Sequence, residues 1–471
     1  MMNDELTHPH FTTDAATLGE LLELARDVAL RHVGALANQP VAARHPGVGG
    51  EALTREGVGA KGALEAFLRS YGASMNASAG PRYLGYVVGG TTPAALLGDW
   101  LVSAFDQNVF AAADSGAPFL ERSALSMLRA LVGLSGAHQG SFVTGATMSN
   151  FVGLAVGRQW AARQLGGDAA RSGLQGLPAV RLLSGAPHSS VYKAAAMLGL
   201  GRDSVTLVPR LPGREAVDVR ALEAALVEQR GLPCLVVANA GTVNTVDFDD
   251  LVAIARLRES YPFWLHVDAA FGAFAALSPR TAHLVAGLDA ADSVAVDAHK
   301  WLNVPYDAAV QFTRHPELQV EVFQNGHAPY LDATGAETAF MHLTPENSRR
   351  FRALPTWFTL MAYGSDGYQE VVERNVALAR ELGRRVEASA EFRLLAPVRL
   401  NVTAFTLRGH AVEQSAVTQF LRRLEADGRT FLTPTVLDGV PGIRAAWSNW
   451  RTDAHDLEIV WEAMLTAART A

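Results

Sequence analysis

Apolar side chains recur at Leu18, Leu21, Leu22, Ala25, Val28, Ala29 and Val33, the three-and-four spacing of an amphipathic helix that needs a surface to lie against. A loop rich in proline and glycine follows from about Gln39 to Gly59, and a second helical stretch runs from Ala63 to Tyr71. Residues 1–75 therefore read as an N-terminal helical extension. From about Pro81 to Pro305 the period switches back and forth. Short apolar or β-branched runs occur at Ser141–Thr144, Val180–Leu183, Ser204–Val208, Cys234–Ala238, Phe263–Val267 and Ser293–Val296. Between them lie helical segments at Asn150–Gln164, Ser190–Gly199, Val217–Gln229 and Asp249–Tyr261. This alternation predicts an α/β fold with a mainly parallel central sheet covered by helices on both faces. Ligands collect at the carboxyl ends of such strands. Residues 325–348 show no period and read as a long surface loop of the kind that serves as a lid. A helical region at Ala353–Ala388, a strand at Asn401–Thr406 and helices at Glu413–Asp427 and Asp453–Ala468 follow. The division expected is an extension (1–75), a large domain (76–349) and a smaller α+β C-terminal domain (350–471).

Composition narrows the function classes. Hydrophobic residues make up 49% and charged residues 18% of the 471, as in a soluble globular protein rather than a disordered one. The 40 Lys+Arg against 47 Asp+Glu give a net charge of −7. With no Lys/Arg-rich run, there is no footprint for nucleic acid. The N-terminus, Met1-Met2-Asn3-Asp4-Glu5, is acidic where a secretory signal is basic, and no apolar run reaches the roughly 20 residues of a membrane span. The single cysteine, Cys234, lies in an apolar run and reads as a buried small residue. These features predict a cytoplasmic protein without a membrane partner.

Five segments carry the chemistry. Asp297-Ala298-His299-Lys300-Trp301 directly follows the run Ser293–Val296, and a lysine held at a strand end is placed for Schiff-base chemistry. Phe263–Val267 ends in Asp268, followed by Ala269-Ala270. A carboxylate there favours a protonated pyridine nitrogen about 4–6 Å away, and Ala270 offers a small methyl surface to a ring. Thr144-Gly145-Ala146-Thr147-Met148-Ser149-Asn150 joins a strand to a helix start, where backbone N–H groups and the helix dipole favour an anion such as a phosphate ester. Pro187-His188-Ser189-Ser190 places a histidine where it can stack on a flat ring, and Ala240-Gly241-Thr242-Val243 offers a hydroxyl to a ring substituent or to a substrate group. Each has an ordinary reading as surface lysine, cap or turn. Their order, each at a strand end, argues for one site.

The segments T-G-A-T-M-S-N, P-H-S-S-V-Y-K-A-A, A-G-T-V, H-V-D-A-A and D-A-H-K-W resemble the group II pyridoxal-phosphate-dependent amino-acid decarboxylases, which include the glutamate and aromatic amino-acid enzymes. Pro81–Tyr86 and Ser348–Trp357 extend the similarity. The resemblance implies an aspartate-aminotransferase-like (fold type I) architecture, pyridoxal 5′-phosphate as cofactor, and an obligate homodimer whose interface holds the active sites. It also implies roles by position. Lys300 forms the Schiff base, Asp268 pairs with the pyridine nitrogen and His188 stacks on the ring. Ala146, Thr147, Asp297 and His299, with Ser293, lie around the phosphate.

The implied reaction is decarboxylation of an L-amino acid to its amine, with aldehyde-forming oxidative deamination or transamination as the alternatives. Many members of the family use a loop tyrosine to return the proton to the α-carbon. Residues 325–348 contain Tyr330, whereas counting back from Ser348-Arg349-Arg350 points to Phe340; both assignments stay open. Asp114–Glu121 departs from the family's usual pattern except at Glu121. Arg444 matches an arginine that some relatives place near the substrate carboxylate, with a structural salt bridge as its other reading. Aromatic and acidic L-amino acids both stay open as substrates, with Tyr83, Tyr86, Phe105 and Phe110 favouring an aromatic or bulky apolar one.

Overall fold

The computed structural model describes residues 8–42, 51–110, 115–325, 338–409 and 412–469. Helices α1 (Pro9–Ala16), α2 (Leu18–Ala35) and α3 (Gly59–Ser70) open the chain. None has a buried residue, and Leu18, Leu22 and Leu30 of α2 stay exposed. Two helices that the sequence pattern did not mark follow, α4 (Pro93–Phe105) and α5 (Ala117–Leu131). α4 is apolar around most of its circumference, which blurs a helical period. Thr92 caps it by accepting from the Ala95 N–H at 3.1 Å, ahead of a proline in the first turn.

The large sheet contains β1 (Gln139–Val143), β2 (Leu182–Ser184), β3 (Val205–Leu207), β4 (Cys234–Asn239), β5 (Phe263–Asp268), β6 (Ser293–Asp297) and β7 (Ala309–Thr313). Its strands are ordered β1-β7-β6-β5-β4-β2-β3. Every residue of β4, β5 and β6 is buried, which is why these strands read as continuous apolar runs. The predicted mainly parallel sheet is present, with one addition. β7 was not foreseen, and it runs antiparallel to both β1 and β6. β6 and β7 form a hairpin with Asp297 opposite Ala309, so Lys300 sits in the loop that closes it.

Helices α6 (Ala146–Gln164), α7 (Ala169–Ser172), α8 (Ser189–Met197), α9 (Val219–Glu228), α10 (Leu251–Arg256) and α11 (Pro316–Phe323) complete this half. α6 begins ahead of the expected Asn150, because extended backbone at Gly145 (φ 178°) already turns into helix at Ala146. The segment 325–348 is not wholly a surface loop. Phe340–His342 forms a 3₁₀ turn with Phe340 and Met341 buried, and the Phe340 ring packs between the guanidiniums of Arg122 and Arg349, 4.9 and 5.1 Å away. Tyr330 lies outside the described residues, as does Asp114.

The C-terminal part holds α12 (Ala353–Ala388), α13 (Gln414–Asp427) and α14 (Ala454–Arg469). They pack with an antiparallel sheet of β8 (Phe392–Leu394), β9 (Val402–Leu407), β10 (Thr433–Leu437) and β11 (Val440–Ala446), ordered β10-β11-β9-β8. The single long helix expected from 353 to 388 is broken at Gly364, whose φ of 59° and ψ of −168° are not helical. Among the described residues no helix is long and apolar enough to cross a membrane.

Candidate active site

Lys300 follows the carboxyl end of β6. Its Nζ lies 2.8 Å from Asp297 Oδ2 and 5.6 Å from the centre of the Phe271 ring. The other Asp297 oxygen is buried without a hydrogen-bond partner, 3.6 Å from His299 Nε2. His299 accepts the Ala308 N–H on Nδ1 at 3.2 Å and packs on the Tyr306 ring at 4.6 Å. Residue 89 must be glycine, since a Cβ there would overlap the carbonyl oxygen of Lys300. Farther along the same loop, the Trp301 indole donates to Asn375 Oδ1 at 2.9 Å. Asn303 donates to the Ser448 carbonyl at 3.1 Å and accepts the Trp450 N–H at 2.9 Å. The lysine loop is thus fastened to α12 and to the segment after β11.

Asp268 ends β5 beside β6, in register with Ala295. It is buried and accepts hydrogen bonds from Asn150 Nδ2 at 2.8 Å and from the Ala270 N–H at 3.2 Å. Ala270 in turn accepts from the Asp297 N–H, which ties the two strand ends together. His188 caps α8, with Nδ1 2.8 Å from Ser190 Oγ. Burial holds its pKa below the ordinary histidine value; Lys300 and Arg444 push the same way, and Asp268 and Asp297 oppose them. His188 thus feels all four charged groups and stays neutral at physiological pH.

The first amides of α6, at Ala146 and Thr147, have no hydrogen-bond partner among the described residues, and Gly145 supplies no side-chain cap. A Cβ on Gly145 would lie 3.3 Å from the His299 ring, so this helix start adjoins the lysine loop. Thr242 is placed differently from a free hydroxyl. Its Oγ donates to Glu215 Oε2 at 2.6 Å and accepts the Asp247 N–H at 2.9 Å. Ser293 stands at the start of β6 rather than at its carboxyl end, where it bonds His266 and Trp264.

Arg444 is buried, and burial lowers its pKa to about 10. It makes no salt bridge among the described residues. One amino group donates to the Val243 carbonyl and the other to the Tyr86 carbonyl at 2.9 Å. Thr433, paired with Arg444 across β10 and β11, takes the Tyr86 N–H at 3.3 Å. Together they pin Tyr86 in the left-handed region (φ 56°) with its ring exposed, a strained geometry that the surroundings must hold. Tyr83 is buried on Phe431 at 4.9 Å instead.

Residues 73–408 match the model of the pyridoxal-dependent decarboxylase conserved domain. The chain belongs to that family. It is a pyridoxal-phosphate-dependent amino-acid decarboxylase of fold type I. It is 27% identical to an aromatic-L-amino-acid decarboxylase of Bacillus atrophaeus, over 80% of this chain and 79% of that one. A Petunia hybrida phenylacetaldehyde synthase is 26% identical over 59% of this chain and 58% of its own. The chain spans about half (54%) of the Drosophila melanogaster aromatic-L-amino-acid decarboxylase, at 30% identity over 60% of this chain. The crystal structure of Oryza sativa TDC with PLP and tryptamine superposes with a TM-score of 0.88 at 22% identity, covering 97% of this chain and 98% of that chain. The donor set fits the decarboxylase cofactor: a lysine for its aldehyde, a carboxylate held ready to accept, and an uncapped helix start for its phosphate.

Sequence reasoning named Lys300, Asp268 and His188 but missed the roles of Asn150, Ser190 and His266: Asn150 bonds Asp268, Ser190 and His266, and Ser190 bonds His188. The available signal was the period of two along β5, which puts His266 on the same face as Asp268.

Proposed function

We propose that this decarboxylase converts an aromatic or bulky apolar L-amino acid into its amine and carbon dioxide, with Lys300 as the covalent anchor of pyridoxal phosphate. When bound, the cofactor supplies an electron-accepting ring for the carbon–carbon bond that breaks. The carrying observation is that Lys300, Asp268 and a neutral His188 share one electrostatic neighbourhood at adjacent strand ends. Asp268 would accept from the ring nitrogen, and His188 and Ala270 would supply contacts to the ring. The Ala146 and Thr147 amides, with His299, take the phosphate. Asp297 pairs with Lys300 Nζ at 2.8 Å and orients it, and Thr242 stiffens the adjoining turn through Glu215. Arg444, a buried cation without a carboxylate partner among the described residues, balances the substrate carboxylate. The exposed Tyr86 ring supports an aromatic substrate side chain.

The unburied helices α1–α3, with Leu18, Leu22, Leu30, Phe67 and Leu68 exposed, support a homodimer in which the extension packs on the partner. A single buried cysteine is consistent with a cytoplasmic enzyme. Residues 76–349 and 350–471 are assigned as the large and small domains.

Amine release requires a proton at the α-carbon, and Tyr330 is assigned as its source. The aldehyde-forming alternative has two observations in its favour: Phe340 carries no phenol, and a Petunia relative is named for an aldehyde. Burial of Phe340 between Arg122 and Arg349 argues against its standing at a catalytic lid. The purified protein should be yellow, and borohydride should bleach it while fixing cofactor mass on Lys300. With a panel of L-amino acids, amine and carbon dioxide without ammonia support the proposal. Ammonia and peroxide in step with carbon dioxide refute the amine outcome, and a colourless protein that takes up no cofactor refutes the assignment of Lys300. Tyr330→Phe should suppress amine release, whereas Phe340→Tyr should leave the product unchanged.

A further inference from the structure

Asn150, fully buried on the second turn of α6, has every polar atom of its amide engaged. Its Nδ2 lies 2.8 Å from Asp268 Oδ2 and 2.9 Å from Ser190 Oγ, and its Oδ1 lies 2.9 Å from His266 Nε2. A carboxylate only accepts, so the amide end facing Asp268 is the nitrogen and the end facing His266 is the oxygen. His266 must then donate from Nε2. Burial drives the His266 pKa down to about 4, so the ring has a single proton and Nδ1 is a bare acceptor. It takes the Ser293 hydroxyl at 2.7 Å, whose oxygen accepts the Trp264 indole N–H at 3.0 Å.

The other arm follows by the same count. Ser190 Oγ accepts from Asn150 and turns its own proton to His188 Nδ1, 2.8 Å away, where the Ser190 N–H also points at 3.3 Å. With Nδ1 occupied as an acceptor, neutral His188 keeps its proton on Nε2. The donors run one way, from Trp264 to two ends, the Asp268 carboxylate and the His188 ring. Gly153 permits the approach of α6 to β5, because a Cβ there would stand 2.7 Å from the His266 ring.

We propose that Asn150 is a positioning residue acting on both arms of the site at once: it aims the Asp268 carboxylate, and through Ser190 it holds His188 as the tautomer protonated on Nε2. The proposal rests on Lys300 as the cofactor-bearing lysine. A buried amide that merely filled its place in the core would influence stability but not couple these two groups.

The test uses the holoenzyme with Asn150→Leu, Ser190→Ala, Ser190→Thr and the double variant Asn150→Leu/Ser190→Ala. Three quantities are read: the dissociation constant for pyridoxal phosphate, kcat and KM separately, and the His188 tautomer from 15N-histidine spectra. Asn150→Leu should weaken cofactor binding by about tenfold or more, the usual loss of a hydrogen bond to a charged group, and should mix the His188 tautomers. Ser190→Ala should lower kcat by about tenfold while cofactor affinity stays within about twofold, and Ser190→Thr, which keeps the hydroxyl, should restore kcat. The double variant should lose no more kcat than Asn150→Leu, because both act on His188 through one chain. Multiplying kcat losses, or an unchanged tautomer in Asn150→Leu, would overturn the proposal. If Asn150→Leu does not fold, Ser190→Ala decides alone, and an unchanged kcat overturns it. Wild-type protein that takes up no pyridoxal phosphate would sink the reading beneath it, a failure visible before any variant is compared.

Discussion

Glu121 and Arg349 form an ion pair at 2.9 Å with both side chains 1% exposed. Arg349 also donates to the Val109 carbonyl at 3.0 and 3.2 Å and to the Phe142 carbonyl at 2.9 Å. Removing the carboxylate by Glu121→Leu leaves a buried guanidinium that keeps those backbone acceptors. The loss should therefore lie near the lower end of the range for breaking a buried pair, about 3 kcal/mol. Arg349→Met is worse. It strands a carboxylate whose Oε2 already lacks a partner and deprives the Val109 and Phe142 carbonyls of their donor, so about 4–5 kcal/mol is expected. The double variant removes both charges, and its cost should fall short of the sum by about 2 kcal/mol or more. Urea unfolding of the holoenzyme at one fixed protein concentration, followed by two probes, measures all three. Single variants each costing under about 1 kcal/mol, or costs that simply add, would refute a charge-compensated pair here.

Three further outcomes are expected. Neutral buried His266, with its pKa near 4 against about 6.5 unfolded, makes the unfolded chain bind more protons between those values. Its contribution is complete above about pH 6.5 and is lost as pH falls toward 4, so His266→Phe should flatten the stability–pH slope in that window. Cys234, buried with its pKa raised to about 12, should resist thiol reagents in the native protein and react fully only on unfolding; rapid native labelling would contradict its placement. Gly89→Ala should displace the Lys300 backbone and abolish the borohydride-fixed cofactor adduct, while far-ultraviolet circular dichroism stays near that of the wild type.

The strand ends were legible because each buried strand stops at a chemically loaded residue: Asp268 after β5, Asp297 and Lys300 after β6. Periodicity alone found β4–β6, since strands buried on both faces are unbroken apolar runs. It missed β7, because Tyr306-Asp307-Ala308 gives no boundary sharper than the loop before it, and antiparallel reversal leaves no local mark. Phe340 looked like part of an open loop because its burial depends on Arg122, distant in sequence, and on Arg349 just beyond the segment. Asn150 reads in the sequence only as the end of a turn and the start of a helix. Its role comes from partners on β5 and α8, contacts that no spacing along one segment encodes.

Asn303 and Trp301 tie the lysine loop to Asn375, Ser448 and Trp450, so the loop's shape depends on chain synthesised roughly 150 residues later (303 to 450). During translation β6 and β7 can pair early, since their hairpin is local, but the loop between them has no fastening until the C-terminal part has arrived. If Lys300 carries the cofactor as proposed, the loop that presents it should take its final shape only late in synthesis, once the residues up to Trp450 are in place.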